Sequence, residues 1–172
     1  MKKYLLGIVL ALTAVGAMAV DGYKGVKFGS SFEKIKSAGL CSFVPYKQNS
    51  VSHVSLYQCT DFRFSGKNTI AMVSLLDNKF SRLVIVVNNG SIQSLYAALS
   101  EKYGEPSFLS SSEEVQQSMV TGEPVYVKFD NDTVIIKVEK VNGIEVSTLI
   151  YTVPDFEQKV SDIQKNNISD DI

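Results

Sequence analysis

Residues Val125 to Val153 read VYVKFDNDTVIIKVEKVNGIEVSTLIYTV, and the fold follows from where that stretch breaks. Val125–Phe129, Thr133–Val141 and Ile144–Val153 are β-branched and aromatic runs of strand length. Asp130-Asn131-Asp132 separates the first two and Asn142-Gly143 the second pair. Asn-Gly between such runs is a strong hairpin signal, because both residues tolerate the positive φ that a type I′ turn requires. Connections this short leave no room for a crossover helix, so the three strands are expected to pair antiparallel.

Moving toward the N-terminus, the same grammar recurs. Val54–Phe64, Thr69–Leu76 and Phe80–Val87 are strand-like, with turns at Ser65-Gly66-Lys67-Asn68 and Asp77-Asn78-Lys79. Between the two triplets, Ser91–Tyr103 places Ile92, Leu95, Leu99 and Tyr103 at helical spacing and stops at Gly104 and Pro106. A second helix is expected to start at Ser30-Ser31-Phe32-Glu33, a capping-box pattern, with Phe32, Ile35 and Ala38 on one face and Gly39 as its stop. Gly22–Gly29 reads as an extended lead-in, and Leu40–Ser52, interrupted by Pro45, as irregular. Ser107–Gly122 is a polar stretch without a clear period, which leaves open a short helix around Glu113–Met119. Pro154 and Asp155 open a last helix carrying Phe156, Val160 and Ile163, and Lys165–Ile172 is expected to fray. The resulting class is α+β: tandem α-β-β-β units, antiparallel sheet or sheets with helices packed on one face, and a C-terminal helix.

At the other end of the chain, Lys2 and Lys3 precede an uncharged run from Tyr4 to Gly16, and Ala17-Met18-Ala19 offers small residues where a signal peptidase needs them. The apolar stretch falls short of the ~20 residues that span a bilayer. Residues 1–19 are therefore expected to be a cleaved secretory signal peptide, leaving no membrane anchor. Val20, where a lipoprotein would need Cys, argues against lipidation. The mature chain, 20–172, is expected in the periplasm or secreted, with residues 20–164 as one domain and 165–172 as a tail. A domain of this size can bury roughly two-thirds of its unfolded surface and needs no metal to fold.

The chain carries a formal charge of −1, which loss of Lys2 and Lys3 would take to −3. That near-neutral balance offers no basic surface for nucleic acid and no polybasic run for anionic lipid. Cys41 and Cys59 are the two cysteines, and in an oxidising compartment an even pair is most simply a disulfide. The alternative, a metal pair, would need a carboxylate beside two Cys and the single His53 to close a zinc site.

The run Phe28-Gly29-Ser30-Ser31-Phe32-Glu33-Lys34-Ile35, followed by Cys41, Cys59 and strands, resembles the periplasmic and secreted proteins of the BLIP-like or BamE-like fold. That group includes β-lactamase-inhibitory proteins and outer-membrane assembly lipoproteins. The resemblance spans Val26 to about Phe64. A second helix-start motif, a second cysteine pair and the lipoprotein Cys are missing from this chain. The resemblance implies a protein-binding or inhibitory module, and no functional residue carries over from it.

Catalytic chemistry finds little purchase. His53 stands alone at the start of a strand, where a surface or hydrogen-bonded histidine is the ordinary reading, and no GxSxG elbow surrounds any serine. Glu113 and Glu114 diverge on a helix. Asp130-Asn131-Asp132 has calcium-compatible oxygens but sits where a turn requires such residues, without the Gly and distal Glu of an EF-hand. No catalytic residue, metal ligand or cofactor site is assigned. The expected function is an exported, non-enzymatic protein-binding module, with a small-ligand or lipid carrier as the alternative. The candidate partner-binding residues are Tyr46 and Lys47, in a loop tethered by Cys41, together with Tyr57.

Overall fold

The computed structural model describes residues 19–46 and 53–170. Apart from Ala19, the expected leader lies outside those residues, as does Lys47.

The two strand triplets form where the turn chemistry places them. The first comprises β4 (Val54–Phe64), β5 (Lys67–Leu76) and β6 (Lys79–Val87); the second comprises β8 (Val125–Phe129), β9 (Val134–Val141) and β10 (Ile144–Thr152). Asn142 and Gly143 sit at φ +53° and +79°, as a two-residue type I′ loop requires. Asp77-Asn78 and Ser65-Gly66 turn in the same way, so β5 and β6 resume one or two residues earlier than the sequence suggests. The lead-in is more than extended: Lys24 and Gly25, also at positive φ, fold it into a small hairpin of β1 (Gly22–Tyr23) and β2 (Val26–Lys27).

Two-residue strands β3 (Val44–Pro45) and β7 (Phe108–Leu109) complete a single antiparallel sheet of order β3-β4-β5-β6-β10-β9-β8-β7. Each half contributes one short strand followed by three long ones. The halves meet where the last strand of each, β6 and β10, pair over Arg82↔Thr152 through Val87↔Ser147. Both outer edges are only two residues long, and one carries Pro45, which limits edge-to-edge pairing with other chains.

Helices α1 (Phe32–Ser37) and α2 (Ile92–Tyr103) cover one face. Ile35, Leu95 and Leu99 from these helices pack with Ala71, Val73, Leu83, Ile85, Ile136 and Leu149 from the strands in one continuous core. Burying a side chain such as Leu83 or Ile85 in full stabilises by roughly 1.5–3 kcal/mol. Helix α1 has six residues, too few to persist alone, and is held by Ile35 and by Phe32 stacked on Tyr57 at 3.7 Å between ring centroids.

The capping box expected at Ser30–Glu33 does not form. The Ser30 carbonyl accepts from Phe80 N–H at 2.8 Å, while the Gly29 N–H donates to the Phe80 carbonyl. Ser30 thus belongs to a backbone pairing with β6, and the N-cap moves to Ser31, which makes no side-chain capping bond. A complete capping box forms instead on α3 (Ser112–Thr121), between Ser111 and Glu114. Helix α4 (Phe156–Asp170) continues through Lys165, where fraying was expected.

Candidate functional site

Strand alternation sends the residues between the core positions to the opposite face, which neither α1 nor α2 covers. Register places Val44, Gln58, Met72, Val84, Ile150, Ile135, Lys128 and Phe108 side by side in one row across all eight strands. Apolar side chains dominate the row, and most are neither fully buried nor fully exposed. At the β10 end of this face the chain turns into α4, and its first turn crosses over the sheet. Between them lies an open groove of about 660 Å³, lined among others by Arg82, Phe108, Tyr126, Lys128, Ile135 and Phe156.

Arg82 organises one wall. It alternates with core-facing Leu83, so its side chain rises on the groove face. Nε donates to Thr152 Oγ1 at 3.1 Å and Nη1 to Glu157 Oε1 at 2.6 Å. The guanidinium carbon lies 3.6 Å from the centroid of the Phe156 ring, a cation–π stack. Burial pulls the Arg82 pKa down and the Glu157 carboxylate opposes that shift. Lys128 forms the other wall. Its Nζ reaches Asp132 Oδ2 at 3.1 Å and lies 5.1 Å from the Phe108 ring. Asp132 also accepts from Ser107 Oγ at 2.7 Å. That hydrogen bond, with Lys128 adding to it, holds the Asp132 carboxyl below the usual carboxylate range. Glu114 at the rim accepts from Ser111 N–H in the capping box. Arg82 with Glu157 and Lys128 with Asp132 are thus paired within the chain, above a floor of aliphatic and aromatic side chains. Such a surface offers an apolar patch of a partner aliphatic and aromatic contacts between ion pairs that are already made.

The disulfide between Cys41 and Cys59 is formed, with 6.3 Å between the Cα atoms. With the sulfurs bonded to each other, the metal-pair alternative falls away. Cys59 and Phe62 both face the core although three residues apart, because a bulge in β4 lies between them. Asp61 lies outside the bridge and accepts from the Ser42 amide and hydroxyl, which lower its pKa.

Of the candidate partner-binding residues, Tyr46 is half-buried beside β3, its N–H bonded to the Leu56 carbonyl at 2.9 Å. Tyr57 lies against the core beneath Phe32. The two tyrosines therefore do not form one exposed patch. His53 is a surface residue whose Nδ1 lies 3.0 Å from Asp77 Oδ1. Sequence reasoning missed Arg82, Tyr126, Lys128 and Asp132 as site residues. A signal existed in the strand FSRLVIVV, where a single arginine interrupts an apolar run, but its partners Thr152 and Glu157 are 70 or more residues away.

An uncharacterized protein from Haemophilus influenzae is 32% identical over 177 residues, covering 99% of this chain and 98% of its own length. No solved structure matches the chain. A family model described as "Uncharacterised protein" matches residues 23–171, and the chain belongs to that family.

Proposed function

We propose that this is an exported protein whose sheet face opposite α1 and α2 binds another protein, as an inhibitor, immunity factor or envelope accessory. One observation carries the reading: the mostly apolar row from Val44 to Phe108, continuous with a groove whose two cations, Arg82 and Lys128, are already paired. The Cys41–Cys59 bridge supports an oxidising compartment, consistent with a leader at residues 1–19. A lipid or small-ligand carrier would instead need an enclosed apolar cavity. The groove is open, and the layer beneath α1 and α2 is filled by Phe62, Phe80, Phe129 and their neighbours, each at most 1% exposed.

The test is affinity capture with the oxidised protein from envelope and secreted fractions, alongside native mass spectrometry. One stoichiometric protein, lost on Ile135→Lys or Met72→Lys in variants that keep their circular dichroism, is the expected result. Loss on Tyr46→Ala alone would move the interface to the disulfide-tethered loop. A co-purifying lipid with no protein would favour the carrier.

A further inference from the structure

The backbone N–H of Val20 donates to the carboxylate of Asp130, 110 residues away in sequence. Val20 is half-buried against the core, while Ala19 before it is exposed. The next residues are pinned as well. Phe28 N–H bonds the Asp21 carbonyl at 2.7 Å, and the Tyr23 ring packs on Tyr151 with 4.9 Å between centroids. The chain is therefore held in place from the first residue that would follow the Ala17-Met18-Ala19 cleavage motif.

The receiving carboxylate is pre-positioned. Asp130 Oδ2 also lies 2.9 Å from the hydroxyl of Thr133, which is fully buried. Asp130, Asn131 and Asp132 all adopt positive φ (+53°, +53° and +65°), a conformation that tight fixing must hold. Yet among the described residues no lysine or arginine pairs with Asp130. A half-buried carboxylate with two hydrogen-bond donors and no cation is an incomplete site. An amide supplies one hydrogen and no charge; an α-ammonium at the same nitrogen supplies three hydrogens and the missing positive charge.

From this we infer that cleavage after Ala19 makes Val20 the new amino terminus, and that its α-ammonium forms an ion pair with Asp130 that locks the turn between β8 and β9. In the reaction the Ala19–Val20 amide is hydrolysed by water: the acyl carbon takes the hydroxyl, and the nitrogen leaves as an amine that is protonated. The signal peptidase supplies the catalysis and this chain supplies the acceptor. The same turn carries Asp132, so the new terminus also steadies the rim of the groove from behind. The inference rests on the export reading, and the experiment separates the two.

The full chain with its own leader is expressed in a Gram-negative host, and the intact mass and N-terminal sequence of the product are read first. Thermal unfolding is then compared for the processed protein, a form with one Gly before Val20, and Asp130→Asn in both backgrounds. Asn suits a positive φ, so Asp130→Asn should keep the turn. The expected product begins at Val20 and melts about 2–4 °C above the Gly-extended form, with that difference abolished in Asp130→Asn. An uncleaved chain, or one starting elsewhere, would overturn the processing reading and the ion pair with it. A product starting at Val20 whose melting is indifferent to both changes would leave export standing and remove the Asp130 pairing alone.

Discussion

Arg82 and Phe156 hold the start of the C-terminal helix to the sheet, and their energetics can be separated. Phe156 is 8% exposed and its ring lies under the guanidinium, whereas Glu157 is largely exposed. Truncating a buried aromatic costs its transfer energy plus a cavity, while an ion pair whose acidic partner is largely exposed contributes little. Phe156→Ala is therefore expected to lower stability by about 3 kcal/mol in urea unfolding, and Glu157→Gln by less than about 1 kcal/mol. The reverse ranking would show that charge, not packing, anchors the helix. A second test concerns Tyr23 in the N-terminal hairpin and Tyr151 beneath it. Burial, with Tyr103 adding to it, pushes the hydroxyls of Tyr23 and Tyr151 above the usual tyrosine range. The folded state thus keeps protons that the unfolded chain begins to lose near pH ~10. That stability is fully present below pH ~10 and falls as pH rises beyond it. Ultraviolet titration should show Tyr151 ionising only together with alkaline unfolding and Tyr23 ionising later than an exposed phenol; early, independent ionisation of Tyr151 would contradict its burial. At this scale the sequence spoke unevenly. His53 read correctly as a surface residue: it is exposed, and its imidazole meets Asp77 in the adjacent turn. Arg82 did not, because its role depends on a register between β6 and β10 that nothing local encodes.

At the level of elements, what local chemistry could decide was legible. The three long hairpin turns follow from residue pairs that accept positive φ, and their strands fall within one or two residues of the expected bounds. Failures occurred where a backbone group had a distant partner. Ser30 matches a capping box but its carbonyl is claimed by Phe80, so the helix starts one residue later. The polar stretch before β8 hid the opposite case, a complete box at Ser111 and Glu114. Ser111→Ala should cost about 1 kcal/mol. Because the helix it caps is otherwise exposed, hydrogen exchange should report that loss mainly in residues 112–121; uniform change across the sheet would mean that α3 is integral to the global fold. The disulfide was legible from cysteine arithmetic, but the β4 bulge that aims Cys59 inward was not. Replacing both cysteines by serine should destabilise by roughly 3 kcal/mol, since the bridge closes a loop spanning 18 positions. A reduced protein as stable as the oxidised one would leave the bridge without a structural role.

The whole molecule is two halves joined by one seam. Each half was readable as a helix followed by strands, yet nothing in the residues announced that β6 and β10 would pair and make one sheet of eight strands. The pairing has a physical cause: both strands are apolar on both faces, so each needs a neighbour on either side and a layer above. On the helix-covered face the register sets Leu149 between Ile85 of the first half and Ile136 of the second, all three at most 2% exposed. A core row that crosses the seam leaves neither half a complete hydrophobic core of its own. The chain should consequently unfold as one unit, and damage at the seam should be felt in both halves at once. Leu149→Ala is expected to cost about 2–5 kcal/mol. In calorimetry it should move a single transition to lower temperature, with calorimetric and van't Hoff enthalpies still equal. Two resolved transitions, with only one displaced, would mean that each half closes its own core and that the seam is a domain interface. In that event the row of side chains from Val44 to Phe108 would not be one rigid surface, and a partner bound across it would be able to sense the angle between the halves.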